Sequence, residues 1–287
     1  MNQTSHTATH LPDRALVQIA GPDAETFLQN LVTCDVAGLE PGQLSLGALL
    51  TPQGKILFEF LIARDPFGNK DGFVADLAAD QTSDFVKRLT FYKLRAAVTV
   101  TVLDMHVGVA LTDTLGAGSY AMTDPRHASL GQRVWGNATA FGPKTDTYDI
   151  ARVAAGVPEL GKDFAPQSAF PHDVLMDQYG TGAVDFSKGC YVGQEVVSRM
   201  HHRGTARSRF VQVTGAEDLP QLGTEILAGD RAVGQMGGHV GQHGLALVRL
   251  DRVAKALREN TVVTAGGAAI TLALPDFVKF GWPEEAA

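Results

Sequence analysis

Residues 188–195 read KGCYVGQE, and they place one of the chain's two cysteines directly ahead of a helical pattern. Cys190 is predicted to lie just outside a helix N-terminus and two residues from Lys188, and both influences lower the pKa of a thiol. The stretch therefore indicates a thiolate that takes part in chemistry. A free cysteine also commonly packs as a small buried hydrophobe, and the sequence leaves that interpretation open.

The two glycines of this stretch and the residues after them predict a shaped loop followed by a helix. Gly189 and Gly193 can take positive φ angles or allow another backbone to approach closely. Gln194 and Glu195 are predicted to fix the helix start, and Glu195 stands four residues before Arg199, in the favourable acid-first order.

Extended along the chain, this stretch resembles the signature of the YgfZ family, folate-binding proteins that assist iron–sulfur enzymes and are distant relatives of the glycine-cleavage aminomethyltransferase (T-protein). KGCYVGQE continues as VVSRMHHRG without a gap. Further family-like stretches are LLTPQGKILFEFLI (49–62), FYKLRAAV (91–98), ARVAAGVPELGKD (151–163) and FPHDVLMDQ (170–178).

The resemblance implies an α+β fold of the aminomethyltransferase type, with a folate-binding body of two subdomains and a small C-terminal β-barrel. It implies tetrahydrofolate, or a one-carbon derivative of it, as cofactor and Cys190 as the key thiol. Lys188 would lower the pKa of Cys190, and Tyr191 would pack or hydrogen-bond beside the ligand.

The resemblance also allows the acidic site residues of the T-protein to be aligned with this sequence. Its paired aspartates align with Phe58 and Glu59, and a further acidic residue aligns with Ala154, which weakens the case for methylene transfer. Because a proton-transfer carboxylate contributes about 10²–10⁴ in rate, folate binding should be better preserved than turnover. Arg209 matches an arginine at the entry to the barrel and would pair the glutamate tail of folate, with Arg199 as a second candidate.

The function predicted is that of a tetrahydrofolate-binding accessory protein that supports assembly or repair of iron–sulfur enzymes, including tRNA-modifying ones. A folate-dependent aminomethyltransferase or methyltransferase is the alternative from the enzyme class, so enzymatic turnover is left open. A tRNA contact through the Arg199–Arg209 stretch is a third interpretation. A cysteine hydrolase would need a base beside the thiol, and His172, His201 and His202 are equivalent candidates.

Charge distribution favours an anionic ligand over nucleic-acid coating. The formal net charge is −7, from 24 basic and 31 acidic residues. Two stretches nevertheless lack acids, between Glu195 and Glu217 and between Asp84 and Asp104, and both contain several cations. Solvated helix faces would give the same pattern.

The two cysteines, Cys34 and Cys190, favour a reducing compartment and cannot supply the four thiolates of a usual cluster. No metal site is predicted, since the His239 and His243 pair lies in a turn-rich run. No apolar run reaches the length of a membrane-spanning helix. Residues 1–10 lack a secretory or mitochondrial targeting pattern and predict a disordered tail of a cytoplasmic protein.

Periodicity predicts two structural parts. Residues 11–207 combine hairpins with separate helices and lack regular strand–helix alternation, which indicates the α+β body. Residues 208–287 contain short, glycine-separated strands typical of a small barrel. Helices are predicted at 81–92, 148–155 and 252–259, and a further helix at 171–178 beginning at a proline.

Overall fold

Two five-stranded sheets form the first half of the chain. The structure, a computed structural model, describes residues 8–111, 119–180, 182–204 and 206–284. The strands are β1 Ala8–His10, β2 Arg14–Ala20, β3 Ser45–Leu50, β4 Ile56–Arg64, β5 Gly72–Ala78, β6 Thr99–Val102, β7 His106–Ala110, β8 Ser119–Thr123, β9 Gln132–Gly136 and β10 Phe141–Gly142. One sheet has the order β3-β4-β5-β2-β6 and the other β10-β1-β7-β9-β8.

Five α-helices accompany these sheets in the described ranges: α1 Ala24–Gln29, α2 Thr82–Lys93, α3 Thr147–Ala155, α4 Gln194–Arg203 and α5 Leu250–Arg258. The C-terminal end of α3 follows from its sequence. The helix ends at Gly156, whose φ of +74° suits glycine, and Pro158 follows. Among the described residues, no helix has the length and apolar character needed to cross a membrane.

The C-terminal part closes into a six-stranded barrel of order β11-β14-β13-β12-β15-β16. Its strands are β11 Ser208–Gly215, β12 Glu225–Ala228, β13 Arg231–Val240, β14 His243–Arg249, β15 Val263–Ala265 and β16 Ala268–Ala273. Closure follows because β11 pairs with both β14 and β16. The predicted α+β body with a C-terminal barrel is confirmed.

One hydrophobic core joins the body to the barrel. Phe210 and Leu245 of the barrel belong to the same buried cluster as Leu46 of β3 and Tyr191 near α4. The domain boundary near residue 208 therefore stays a prediction, since apolar packing continues across it.

The body also buries charge. Asp76 on β5 is fully buried and accepts from Arg14 Nε at 2.7 Å and Trp135 Nε1 at 3.3 Å. Arg133 Nε lies 3.4 Å from the second carboxylate oxygen. Asp76 thus pairs with two buried guanidinium groups, which also lie near Glu159 and Asp124.

A second buried carboxylate, Glu159, continues this network. It accepts from the Tyr148 hydroxyl at 2.5 Å and from Arg126 Nη1 at 3.4 Å. Burial opposes ionisation, but the neighbouring cations, Lys162, Arg14 and Arg126 among them, outweigh it and hold the pKa of Glu159 well below its usual value.

Two predictions about local structure are wrong. Residues 8–10 are not disordered, because β1 pairs with β7 and β10, while residues 1–7 lie outside the described ranges. Residues 171–178 form consecutive turns instead of a helix. Leu175 has a φ of +65°, which interrupts the helical hydrogen-bond pattern that the proline had suggested.

Candidate functional site

Cys190 is the accessible thiol of the chain. It is exposed four residues before α4 begins, whereas Cys34 is buried. Burial raises the pKa of Cys34 to about 11 and keeps that thiol protonated. The question that the sequence left open, burial or exposure of Cys190, is thereby answered in favour of exposure.

Gly193 fixes the start of α4 by close backbone contact. Its φ is +80°, and a Cβ there would lie 2.5 Å from the carbonyl oxygen of Thr51. Gly54 in the β3–β4 turn is its counterpart, since it also has a positive φ and a Cβ on it would contact Val196 at 3.0 Å. Gly189, in contrast, has open space around it.

Lys188 donates hydrogen bonds to backbone carbonyl oxygens, whereas the sequence predicted that its charge acts on the Cys190 thiol. Its Nζ donates to the carbonyl oxygens of Val32 at 2.8 Å and Cys34 at 2.6 Å, and it lies 5.6 Å from the centre of the Tyr191 ring. Desolvation by burial lowers the pKa of Lys188. Its ammonium therefore anchors the loop after α1, because it satisfies two carbonyl oxygens of buried residues that would otherwise cost stability.

Asp185 organises the start of the same loop, and the sequence analysis did not single it out. Its Oδ1 accepts from the Ser187 amide at 2.6 Å, the Ser187 hydroxyl at 2.7 Å and the Lys188 amide at 3.0 Å. Burial opposes ionisation, but these hydrogen bonds outweigh it and lower the pKa of Asp185. The Asp-x-Ser spacing is a turn signal that could have identified it.

A cavity of about 600 Å³ lies beside this loop. Asp185 lines it together with Asp35 of the loop after α1, Gln43 and Ser45 before and in β3, and Thr123. Among its described lining residues, Asp185 is the closest to Cys190 in sequence. The loop that carries the thiol therefore begins at the wall of a ligand-sized cavity.

Tyr191 follows the exposed thiol but belongs to the core. Its ring is buried, and its hydroxyl has no hydrogen-bond partner within the described ranges. Burial raises the pKa of this hydroxyl. Tyr191 thus packs in the core, and its place beside a ligand stays a prediction.

The two arginines proposed for folate occupy separate environments. Arg209 on β11 pairs both of its terminal nitrogens with Asp177, at 2.5 and 3.0 Å, and donates to the His172 carbonyl oxygen at 2.6 Å. Arg199 is exposed on α4 and pairs with Glu195. The planar fork of Arg209 is therefore filled by a protein carboxylate, which differs from the predicted role on the glutamate tail of folate. Because Arg209 is buried, the basic residues between Arg199 and Arg209 do not form one continuous exposed surface.

At the positions aligned with the T-protein carboxylates, only Glu59 has an acidic side chain. It is buried, and its Oε2 accepts from the Leu160 amide at 2.7 Å. Burial raises the pKa of Glu59 to about 7. Phe58 stacks edge-on against Phe85, and Ala154 accepts from Gln212 through its carbonyl oxygen.

His172 is buried with neither ring nitrogen hydrogen-bonded to a described residue. It packs near Phe186, which stacks on His201 of α4 with ring centres 3.9 Å apart. Within the described ranges, no group of three or more His, Cys, Asp or Glu side chains is placed to hold a metal ion.

Replacing His172 by phenylalanine should reduce the loss of stability in acid. Burial lowers the pKa of His172 to about 4, so the unfolded chain binds the proton first and stability falls as the pH drops below the unfolded pKa of about 6.5. We expect His172→Phe to decrease the stability difference between about pH 8 and about pH 5 by about 2 kcal/mol, measured by urea unfolding. The exposed His202→Phe is the control. Identical pH dependence in wild type and His172→Phe would contradict the assignment.

The overall fold is that of an aminomethyltransferase. The glycine cleavage system aminomethyltransferase T from Bartonella henselae superposes with a TM-score of 0.72 over 96% of this chain and 88% of that chain, at 16% sequence identity. This likeness defines the fold class and confirms the prediction of an aminomethyltransferase-like architecture.

Sequence comparison narrows the class to a family. The chain is 32% identical to the mitochondrial iron–sulfur cluster assembly factor IBA57 homologue of Pyricularia oryzae, over 85% of this chain and 72% of that protein. It is 29% identical to human IBA57 over 95% of this chain and 84% of that protein. Two further fungal homologues are matched over 52% and 56% of their own lengths. Residues 207–280 match the CAF17 C-terminal β-barrel domain.

The chain belongs to the IBA57 family. The sequence resemblance named YgfZ proteins, and the comparisons name their IBA57 homologues instead. The predicted cytoplasmic location is contradicted, because the matched relatives are mitochondrial proteins.

Proposed function

We propose that this protein is an iron–sulfur cluster assembly factor that acts through Cys190. The observation that carries the proposal is an exposed thiol on a loop whose two ends are anchored, by Lys188 on the carbonyls of Val32 and Cys34 and by Gly193 against Thr51. An exposed thiol on a rigid loop presents a soft ligand or nucleophile to a partner protein. The similar proteins are iron–sulfur cluster assembly factors, which supports the same role for this chain.

Replacing Cys190 should abolish the protein's activity in iron–sulfur cluster assembly while leaving the fold intact. We expect Cys190→Ser and Cys190→Ala to fail to restore a [4Fe–4S] tRNA methylthiolase in cells that lack the protein, because neither variant has a thiolate. Gly189→Ala, in the same loop and in open space, is the matched control and should restore activity. Full rescue by both cysteine variants would remove the thiol from the mechanism.

We propose further that the body binds tetrahydrofolate in the 600 Å³ cavity. Its volume lies within the range of small-molecule sites, and the carboxylates of Asp35 and Asp185 fit the N–H donors of a pterin. The described lining residues include no cation for the glutamate tail, so that tail would extend toward solvent. When bound, the folate would supply or accept a one-carbon unit.

A substitution that fills the cavity tests this part separately. Gln43→Trp should remove the heat of tetrahydrofolate binding in anaerobic titration calorimetry, whereas Gln221→Trp, exposed in the barrel, should retain it. Equal binding by the two variants would place the folate elsewhere.

The aminomethyltransferase or methyltransferase alternative is less well supported. Glu59 is committed to the Leu160 amide, and Phe58 and Ala154 offer no carboxylate. Incubation with labelled methylene-tetrahydrofolate and candidate acceptors distinguishes the classes, since only a transferase turns the label over. For the tRNA interpretation, steeply salt-dependent binding through the exposed arginines of α4 is the discriminating observation.

A further inference from the structure

Two large apolar side chains are exposed at the C-terminal end of α2. Phe91 is 72% exposed and Leu94 is 84% exposed, more than any other large hydrophobic residue in the part of the chain that the structure describes. Phe91 lies in the last turn of the helix, and Leu94 is the residue directly after it. Leu94 also ends the helix with a φ of +44°, a conformation that leucine rarely adopts. This pair is an unusual surface for an unpartnered protein.

A groove of about 770 Å³ adjoins Phe91. Its apolar wall comprises Leu57, Phe58, Phe91 and Pro166. Gln81 also lines it, and its Oε1 is buried without a hydrogen-bond partner among the described residues. The groove therefore offers apolar contact together with one acceptor for an incoming N–H.

Cations flank this apolar pair in the sequence, in a protein whose net charge is −7. Arg88 and Arg95 are exposed, and neither has an ion-pair partner in the described ranges, Arg88 lying only near the Tyr92 ring. Residues 85–103 contain four cations and no acid. The complementary occupant is therefore acidic as well as apolar.

The groove favours a peptide over a nucleic acid. Carboxylates and cations both line it, Asp80 and Asp84 beside Lys87 and Arg88, and Lys87 pairs with Asp84 at 3.1 Å. A nucleic acid has a phosphate at every nucleotide and would bring charge against these carboxylates. Among the described lining residues, Phe91 is the one exposed aromatic ring, since Phe58 is buried, whereas single-stranded nucleic acids stack on successive aromatic faces. Carboxylate side chains can pair with the arginines while a neighbouring leucine or phenylalanine enters the groove.

We infer that the α2 surface, defined by Arg88, Phe91, Leu94 and Arg95 with the adjoining groove, docks an acidic segment of a partner protein. An apolar side chain of that segment packs against Phe91 and the groove wall, and its flanking carboxylates pair with Arg88 and Arg95. This surface is independent of Cys190 and of the proposed iron–sulfur function.

Fluorescence anisotropy with defined peptides tests the inference on the full chain. The probe is a short fluorescein-labelled peptide of aspartate and glutamate residues with one phenylalanine and two leucines. Two reference peptides replace either the acids by lysine or the apolar residues by serine. We expect only the acidic apolar peptide to bind, and its affinity to fall with added salt.

Paired variants locate the binding. Phe91→Ser with Leu94→Ser, and separately Arg88→Glu with Arg95→Glu, should each weaken the affinity at least about tenfold. Leu222→Ser with Val262→Ser, at exposed apolar positions of the barrel, is the matched control and should bind as wild type. The charge-reversed variant should gain binding to the lysine peptide, an outcome that misfolding could not produce.

Several results would overturn the inference. They are equal binding of the acidic apolar and serine peptides, unchanged affinity in both patch variants, or binding of a single-stranded RNA probe in place of the peptide. Sedimentation that shows a dimer dissociated by Phe91→Ser with Leu94→Ser would assign the surface to a second copy of this chain instead.

Discussion

Asp76→Leu is expected to lower the free energy of unfolding by about 3–5 kcal/mol, because it removes the carboxylate nearest to two buried guanidinium groups. Asp76 contacts Arg14, Arg133 and the Trp135 indole, and all of these groups are buried. Without Asp76, the carboxylate contacts that Arg14 and Arg133 keep within the described ranges are the longer ones to Glu159 at 3.5 Å and Asp124 at 3.7 Å.

Urea unfolding at neutral pH measures this effect. Asp84→Leu is the matched control, since Asp84 forms an exposed pair with Lys87 and such pairs contribute little to stability. Asp76→Asn keeps an acceptor and should fall between wild type and Asp76→Leu. Equal unfolding midpoints for Asp76→Leu and Asp84→Leu would show that the buried pairs contribute nothing net.

Gly193→Ala is expected to destabilise the protein by about 2–5 kcal/mol, which combines the cost of a left-handed conformation with that of overpacking. The new Cβ would approach the Thr51 carbonyl oxygen at 2.5 Å, and Leu50 and Gly54 close the space on the other sides. The obstructing atom belongs to the backbone, so a side-chain rotation cannot relieve the contact.

Gly189→Ala provides the comparison within the same motif. Gly189 has neither a positive φ nor a neighbour within 4 Å of an added Cβ, so its replacement should change stability by less than about 0.5 kcal/mol. The rate at which Cys190 reacts with an aromatic disulfide measures the accessibility of its thiol and therefore the conformation of the loop. It should change in Gly193→Ala and stay constant in Gly189→Ala, and equal responses of the two variants would contradict the assigned roles.

Local patterns predicted much of the fold. The hairpin signals of residues 11–207 predicted the α+β body, and helices were predicted at 81–92 and 148–155, where α2 and α3 lie. The short glycine-separated runs gave the barrel. These features depend on neighbours in sequence, where periodicity and turn chemistry act.

The remaining features depend on partners that are distant in sequence. Nothing in the local sequence marks Asp76 and Arg133 as partners, and only the fold pairs them inside the body. Lys188 was assigned to the nearby Cys190, yet its ammonium reaches carbonyls more than 150 positions away. Arg209 was assigned to a ligand because nothing local revealed that Asp177 fills its fork. Strands β8 to β10 carried too weak an alternation to be recognised.

The contact between Gly193 and the β3–β4 turn has a consequence for how the family can vary. Hairpin turns at a surface normally tolerate added residues. Here an insertion at residues 51–54 would push against the backbone that carries the thiol loop. A residue inserted into this turn is therefore expected to displace the thiol loop as well, so that turn length and the position of Cys190 change together.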